Sequence, residues 1–371
     1  MEHLLGPTRT LVLAALLLVI VGSLPAVAAP SKLKTPALAL AYALALFAGV
    51  ALVWFGFDRG AVMPDTFASS IERYAVDELS KAKEPNVVMI DGGSYVLNAV
   101  DTGVVMSELT ALGYSARVVR FAAGAANHFE RYRIQQGIVQ RLHGKQAADQ
   151  RWFYLAEVQF GYDQIPLAQF DNNLDTWRAI QYCTPANSWQ AARALGSPGV
   201  TAPLGGAWRW QLLRHTLINA FSAGALKRYA PEADIALGGG AVTPHRPGKF
   251  RFRGFGAQVA ALRKPTDPAN VSVLPWLRDI RERRSQRLWR PFRAELIYFG
   301  VPSTSVGQLE YVRGFCQAVG TKCIAPADAA LLGELDNPKL WRDVSHMTNA
   351  GADIYSRWLA HQLVALRVLK R

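Results

Sequence analysis

Two short stretches at opposite ends of the chain hold residues whose types and spacing could do nucleophilic chemistry. The first is Asp91-Gly-Gly-Ser-Tyr95 and the second is Asp343-Val-Ser-His346, followed by Met-Thr-Asn-Ala-Gly351. A serine hydroxyl is a weak nucleophile until a neighbouring base takes its proton. An Asp three residues before a His can set its carboxylate against one imidazole nitrogen and leave the other facing a nucleophile. The chemistry implied is serine-dependent catalysis, with Ser94 as nucleophile, His346 as general base and Asp343 as the acid that orients it. A Gly-Gly-Ser turn alone also fits an ordinary strand-to-helix cap, so the weight comes from the second stretch.

Both stretches sit where a parallel sheet would present them. Asn86-Val-Val-Met-Ile90 is a short continuous apolar run of the kind a strand buried on both faces shows, and the glycines break it at once. Gly92 and Gly93 suit a tight turn and leave room for a substrate. The pattern predicts a helix from Val100 to Leu112 closed by Gly113, a strand at Ala116 to Phe121, a helix from Asn127 to Leu142 and a strand at Arg151 to Val158. After about 130 residues without that rhythm, it predicts a strand at Ala294 to Gly300, a helix from Val306 to Val319, a strand at Lys322 to Ala325 and a last helix from Ala350 to Leu369. Strands alternating with helices imply an α/β fold with a doubly wound parallel sheet. Ligands in such sheets bind outside the carboxyl ends of the strands, where Ser94 falls.

The ends of the chain differ in character. Residues 10–31 and 35–57 are two charge-free apolar runs, each long enough to span a bilayer. The second ends in the aromatic cluster Val53-Trp-Phe-Gly-Phe57 and reads as a membrane span. The first reads either as a span or as a signal peptide, because Ala26-Val-Ala-Ala29 resembles a cleavage site. Lys32 and Lys34 hold the intervening loop in the cytoplasm by the positive-inside rule, which sends everything after Phe57 to the other side. A first run that is cleaved, or that enters with its N-terminus inside, would reverse this. Residues 58–84 read as an amphipathic linker, and the domain as residues 85–371 with an insertion over about 161–291.

That insertion is too long for a plain loop. It carries six of the ten tryptophans, Trp208 and Trp210 among them, and a basic run that includes Arg283 and Arg287. These four are candidate substrate-binding residues, the tryptophans by stacking on sugar faces and the arginines by meeting anions. Equally, the arginine run fits a solvated helix face, since Asp279 and Glu282 lie within it. The net charge of +13 points to an acidic partner: an acidic polymer, the headgroups of a membrane lipid bilayer or, ranked below these, nucleic acid. Cys316 and Cys323, seven apart, fit either a loop-closing disulfide or two separate thiols. The histidines and cysteines show no metal-ligand spacing. Gly238-Gly-Gly240 is not followed by the Lys-Ser/Thr of a phosphate loop, and no cofactor is expected.

Asp91-Gly-Gly-Ser-Tyr95 resembles the Gly-Asp-Ser-Leu block of SGNH (GDSL) hydrolases, and Asp343-Val-Ser-His346 is similar to their closing Asp-x-x-His block. The resemblance covers about residues 85–160 and 294–370. It implies an SGNH/flavodoxin-like sheet and an oxyanion hole made by the backbone N–H groups of Ser94 and Gly124. In that family an Asn after the third strand is the third donor. Here Glu157-Val-Gln-Phe-Gly stands in its place, so Gln159 is the substitute. With the apolar N-terminus, the whole resembles membrane-tethered proteins of alginate and cellulose O-acetylation and lipoteichoic-acid D-alanylation. That likeness implies O-acyl transfer on an extracytoplasmic polysaccharide, beside a membrane-bound O-acyltransferase. It leaves open a carbohydrate esterase or a non-catalytic scaffold.

Overall fold

Val87 to Ile90 offers no polar side chain to solvent on either face, so a strand built from it must be covered on both. In the computed structural model it forms β1 (Asn86–Asp91), every residue of which is buried. β1 pairs in parallel with β2 (Ala116–Arg120) on one side and β3 (Arg151–Glu157) on the other. Beyond β3 come β4 (Glu295–Phe299) and β5 (Cys323–Ile324), giving an all-parallel sheet in the order β2-β1-β3-β4-β5. The order reverses direction between β1 and β3, and a crevice opens at such a switch point beyond the carboxyl ends of the strands.

The structure describes residues 67–124, 126, 128–142, 149–159, 250–262, 284–305 and 307–371, together with Leu44 and Ala48. The apolar runs at 10–31 and 35–57, apart from those last two residues, lie outside the described residues, as do Trp208, Trp210 and Arg283. No helix among the described residues is long and apolar enough to cross a membrane. Contacts divide the chain into two units, and everything reported below, apart from Phe67–Ser69, lies in the one formed by Ser70–Asn172 and Ala230–Arg371.

The α-helices among the described residues are α1 (Phe67–Ser80), α2 (Ser94–Ala99), α3 (Thr102–Ala111), α4 (His128–Leu142), α5 (Gly256–Leu262), α6 (Gln286–Trp289), α7 (Gln308–Ala318), α8 (Ala329–Glu334) and α9 (Asn349–Ala365). One face of the sheet presents Val88, Ile90, Phe153, Leu155, Ile297 and Phe299 to a core completed by Val105 and Leu109 of α3 and Tyr355 and Leu359 of α9. The other face is aromatic. Tyr154 of β3 stacks against Phe121 and against Trp289 of α6 at centroid distances of 6.4 and 5.8 Å. Alternation of side chains along each strand assigns neighbours to opposite faces, which is why both layers are needed.

Three details differ from the sequence expectation. The helix expected at Val100–Leu112 is α3, but a short helix not expected, α2, precedes it, and the Asp101 side chain, which accepts from the N–H groups of Gly103 and Val104, starts α3 afresh. The segment expected as a linker includes α1, whose Ile71, Ala75 and Leu79 are buried at helical spacing and make it part of this unit. Within the stretch expected as an insertion, Phe255 is fully buried against Trp341 at 5.6 Å. Cys316 and Cys323 are joined in a disulfide with their Cα atoms 5.3 Å apart, linking the end of α7 to the start of β5.

Candidate active site

Ser94 is the first residue of α2, half-buried, three residues past the end of β1. Gly92 is required there by close approach. A Cβ at that position would lie 2.3 Å from Val96 Cγ2 and 2.9 Å from Glu157 Oε2. Neither Gly92 nor Gly93 has a positive φ, so crowding rather than turn handedness explains the pair. The Gly93 N–H donates to Glu157 Oε2 at 2.5 Å, which pins the Gly92–Gly93 peptide, one link before Ser94, to the end of β3. The Asn98 side chain donates to the Ser94 carbonyl at 2.7 Å. Arg120, fully buried at the end of β2, donates to the carbonyls of Leu97 and Val100 and so caps α2 from below. Burial lowers its pKa to about 10.

The second block lies on the loop entering α9. His346 Nδ1 sits 2.9 and 2.8 Å from the two oxygens of Asp343. The same carboxylate accepts the backbone N–H groups of Ser345 and His346 at 2.9 and 3.0 Å, which fixes its direction. Burial pushes the Asp343 carboxyl up, but the hydrogen bonds from the His346 ring and the Ser345 amide outweigh it and hold the group below its ordinary value. His346 Nε2 is buried and makes no hydrogen bond among the described residues, so the Ser94 hydroxyl does not yet bond to it.

Tyr95, which sequence reasoning did not single out, joins the two blocks. Its ring meets His346 edge-on at 5.7 Å and its hydroxyl accepts from Ser345 Oγ at 2.8 Å. The residue after Ser94 therefore packs directly on the imidazole. A tyrosine in a turn carries no sequence signal for this, because the partner is some 250 residues away.

The remaining predicted residues divide. Gly124 comes close to Ser94: a Cβ built on it would lie 3.9 Å from Ser94 Cβ. Gln159 is 1% exposed, its Oε1 is 3.3 Å from where a Gly93 Cβ would be, and its amide has no hydrogen bond among the described residues. Leaving a buried amide unpaired costs on the order of 1–3 kcal/mol. Arg287 is not brought to Ser94. It is exposed and lines a cleft with Arg290, Arg293, Glu295 and Thr321 at the amino ends of β4 and β5, the opposite edge of the sheet.

Beneath Ser94 lies a buried charged network that the sequence did not reveal. Asp91 accepts from Arg131 Nε and Nη2 at 3.0 and 2.9 Å, from the Tyr154 hydroxyl at 2.7 Å and from Gln135 at 3.3 Å. Arg131 Nη1 is also 3.8 Å from Glu157 Oε2. Burial disfavours the Arg131 charge, yet Asp91 and Glu157 hold it protonated above the ordinary range. Burial and the Asp91 charge push the Tyr154 hydroxyl well up, so it stays a donor. Only the pairing of α4 with the ends of β1 and β3 creates this set, and no spacing in the sequence encodes it.

No group of three or more potential metal-ligating side chains occurs among the described residues. Compared with known proteins, the chain matches no family model, no curated protein and no solved structure.

Proposed function

We propose that the protein is a serine-dependent acyltransferase of SGNH type, with Ser94, His346 and Asp343 as its catalytic triad, that moves an acyl group onto an extracytoplasmic polysaccharide. The observation that carries this reading is the state of His346: one nitrogen held by Asp343, the other buried without a partner among the described residues, and the ring packed on the neighbour of Ser94. The strand order, which is that of flavodoxin-like sheets, supports it, because Ser94 leaves β1 at the switch point.

In this reading His346 Nε2 takes the Ser94 proton as Oγ adds to the acyl carbonyl. The oxyanion is met by the N–H groups of Ser94 and Gly124 and by the Gln159 amide. Collapse gives acyl-Ser94 and releases the donor's leaving group with the proton from His346. An acceptor hydroxyl then adds, its proton passes to Nε2, and the new ester leaves with Ser94 restored. The Ser94–His346 hydrogen bond is one that forms with substrate, since catalytic contacts often tighten only in the complex. Water as acceptor would make the same site an esterase.

The apolar N-terminus supports a membrane-anchored protein with this domain outside the cytoplasm, beside a membrane-bound O-acyltransferase that supplies acyl groups. The test is labelling of the full chain with a fluorophosphonate, alongside acetyl-ester turnover by the wild type, Ser94→Ala and His346→Ala. The reading expects label on Ser94 and a loss of roughly a thousandfold or more in each variant. A folded wild type that neither labels nor turns over would mark a scaffold instead.

A further inference from the structure

Beside the loop that carries Asp343 and His346 is a cavity of about 310 Å³ lined by Arg251, Arg253, Thr304, Ser305 and Val344. Val344 lies between the two proposed catalytic residues, so this cavity and the candidate site share a wall. The wall is firmly held. The Val344 carbonyl accepts from the Thr304 N–H, the Thr304 hydroxyl and the Ser303 hydroxyl, each at 2.9 Å.

The opposite wall follows from a period-two pattern. In Phe250-Arg-Phe-Arg253, which lies in no strand or helix, the phenylalanines are half-buried against the core, the arginines are exposed, and both arginines line this cavity. The segment is anchored just beyond. Gly254 adopts a φ of +65° against Asp336, and the Phe255 N–H donates to Asp336 Oδ1 at 3.0 Å. Neither Arg251 nor Arg253 has a carboxylate within ion-pair distance among the described residues, whereas Arg131, Arg342 and Arg357 do. Two like charges held on one side, with no carboxylate in ion-pair distance among the described residues, repel each other. That cost is relieved when an anion binds between them, and planar guanidinium groups suit carboxylate or phosphate oxygens.

We infer that this cavity is the acceptor subsite and that the acceptor is an anionic polysaccharide, a sugar unit of which lodges its carboxylate or phosphate between Arg251 and Arg253. The volume is at the lower end of ligand-sized pockets and fits one unit of a polymer rather than a large cofactor. The inference rests on the reading of Ser94, His346 and Asp343 as the acyl-transfer site, because only then does a neighbouring anion site bind an acceptor.

The test uses the full chain in a neutral detergent, with polygalacturonate as probe and dextran of matched length as the neutral control. Wild type is expected to bind polygalacturonate with an affinity that falls as salt rises, and not to bind dextran. Arg251→Ala/Arg253→Ala should weaken binding at least tenfold while leaving the rate of fluorophosphonate labelling at Ser94 unchanged. Arg290→Ala/Arg293→Ala, in the cleft at the far edge of the sheet, should bind within twofold of wild type. Equal binding by the Arg251/Arg253 variant, equal loss in the far pair, or equal affinity for dextran would each overturn the inference. So would loss of binding to anionic vesicles in that variant with no polygalacturonate binding in the wild type. Labelling reports on the acyl-transfer reading separately: an unlabelled Ser94 with intact polymer binding would sink that reading and not the anion site.

Discussion

The two ring nitrogens of His346 live in different surroundings, and Asp343 is the cause. Its carboxylate takes Nδ1 while two backbone N–H groups hold the carboxylate in place, so the ring cannot turn without giving up its bond to Asp343. The depressed Asp343 pKa has a consequence for stability as well as for chemistry. In the unfolded chain an Asp titrates near about 3.9. Because the folded value lies lower, the ionised carboxylate stabilises the fold fully above about pH 4, and that contribution disappears as pH falls through the folded value. Asp343→Asn is therefore expected to lower the unfolding free energy at pH 7, by an amount that shrinks as the pH is taken down to 3. Urea titrations of both proteins over that range would show it, and a pH-independent difference would mean the carboxylate charge is not the source.

At the scale of elements, the positions of β1, β3, α2 and α4 are tied together by one buried ion pair. Arg131 and Asp91 side chains are each 3% exposed, and the pair is braced by Tyr154, Gln135 and Glu157. Removing one member leaves an uncompensated charge, which typically costs about 3–5 kcal/mol. Arg131→Met should lower the unfolding free energy by about that amount. It should also slow fluorophosphonate labelling of Ser94, because Glu157 holds the Gly93 peptide. A urea midpoint equal to wild type would show that the pair contributes nothing net.

For the whole molecule, the proposed chemistry depends on which side of the membrane the sheet lies. Lys32 and Lys34 between the two apolar runs favour a cytoplasmic loop and an external domain. The disulfide between Cys316 and Cys323 agrees with an oxidising compartment. Alkaline phosphatase fused after Arg371 is expected to be active in intact cells, and a fluorescent protein that matures only in the cytoplasm is expected to stay dark there. The opposite pattern would place the site in the cytoplasm and remove an extracytoplasmic acceptor.

Strand and helix positions were legible from local pattern alone, since a doubly buried strand such as Val87–Ile90 and a helix closed at Gly113 write their environment into consecutive residues. Ser94, Asp343 and His346 were legible as candidates because a serine after the first strand and Asp-x-x-His before the last helix are local signatures. The short helix α2 before Asp101 was not, because the six residues from Ser94 to Ala99 are too few to show a helical period. What no local reading could reach were the pairings across the fold. Tyr95 meets Ser345, Glu157 takes the Gly93 amide, Arg131 is buried under Asp91, and Phe250 to Arg253 is laid beside Val344. Arg287 shows the converse, a residue chosen for its charge that the sheet carries to the far edge. The sequence by itself determined the elements and the places of the two candidate blocks among them, because short-range sterics and burial act on neighbours. The tertiary structure alone decided which polar groups face one another, because those contacts join residues tens to hundreds of positions apart and depend on how the helices are laid against the sheet.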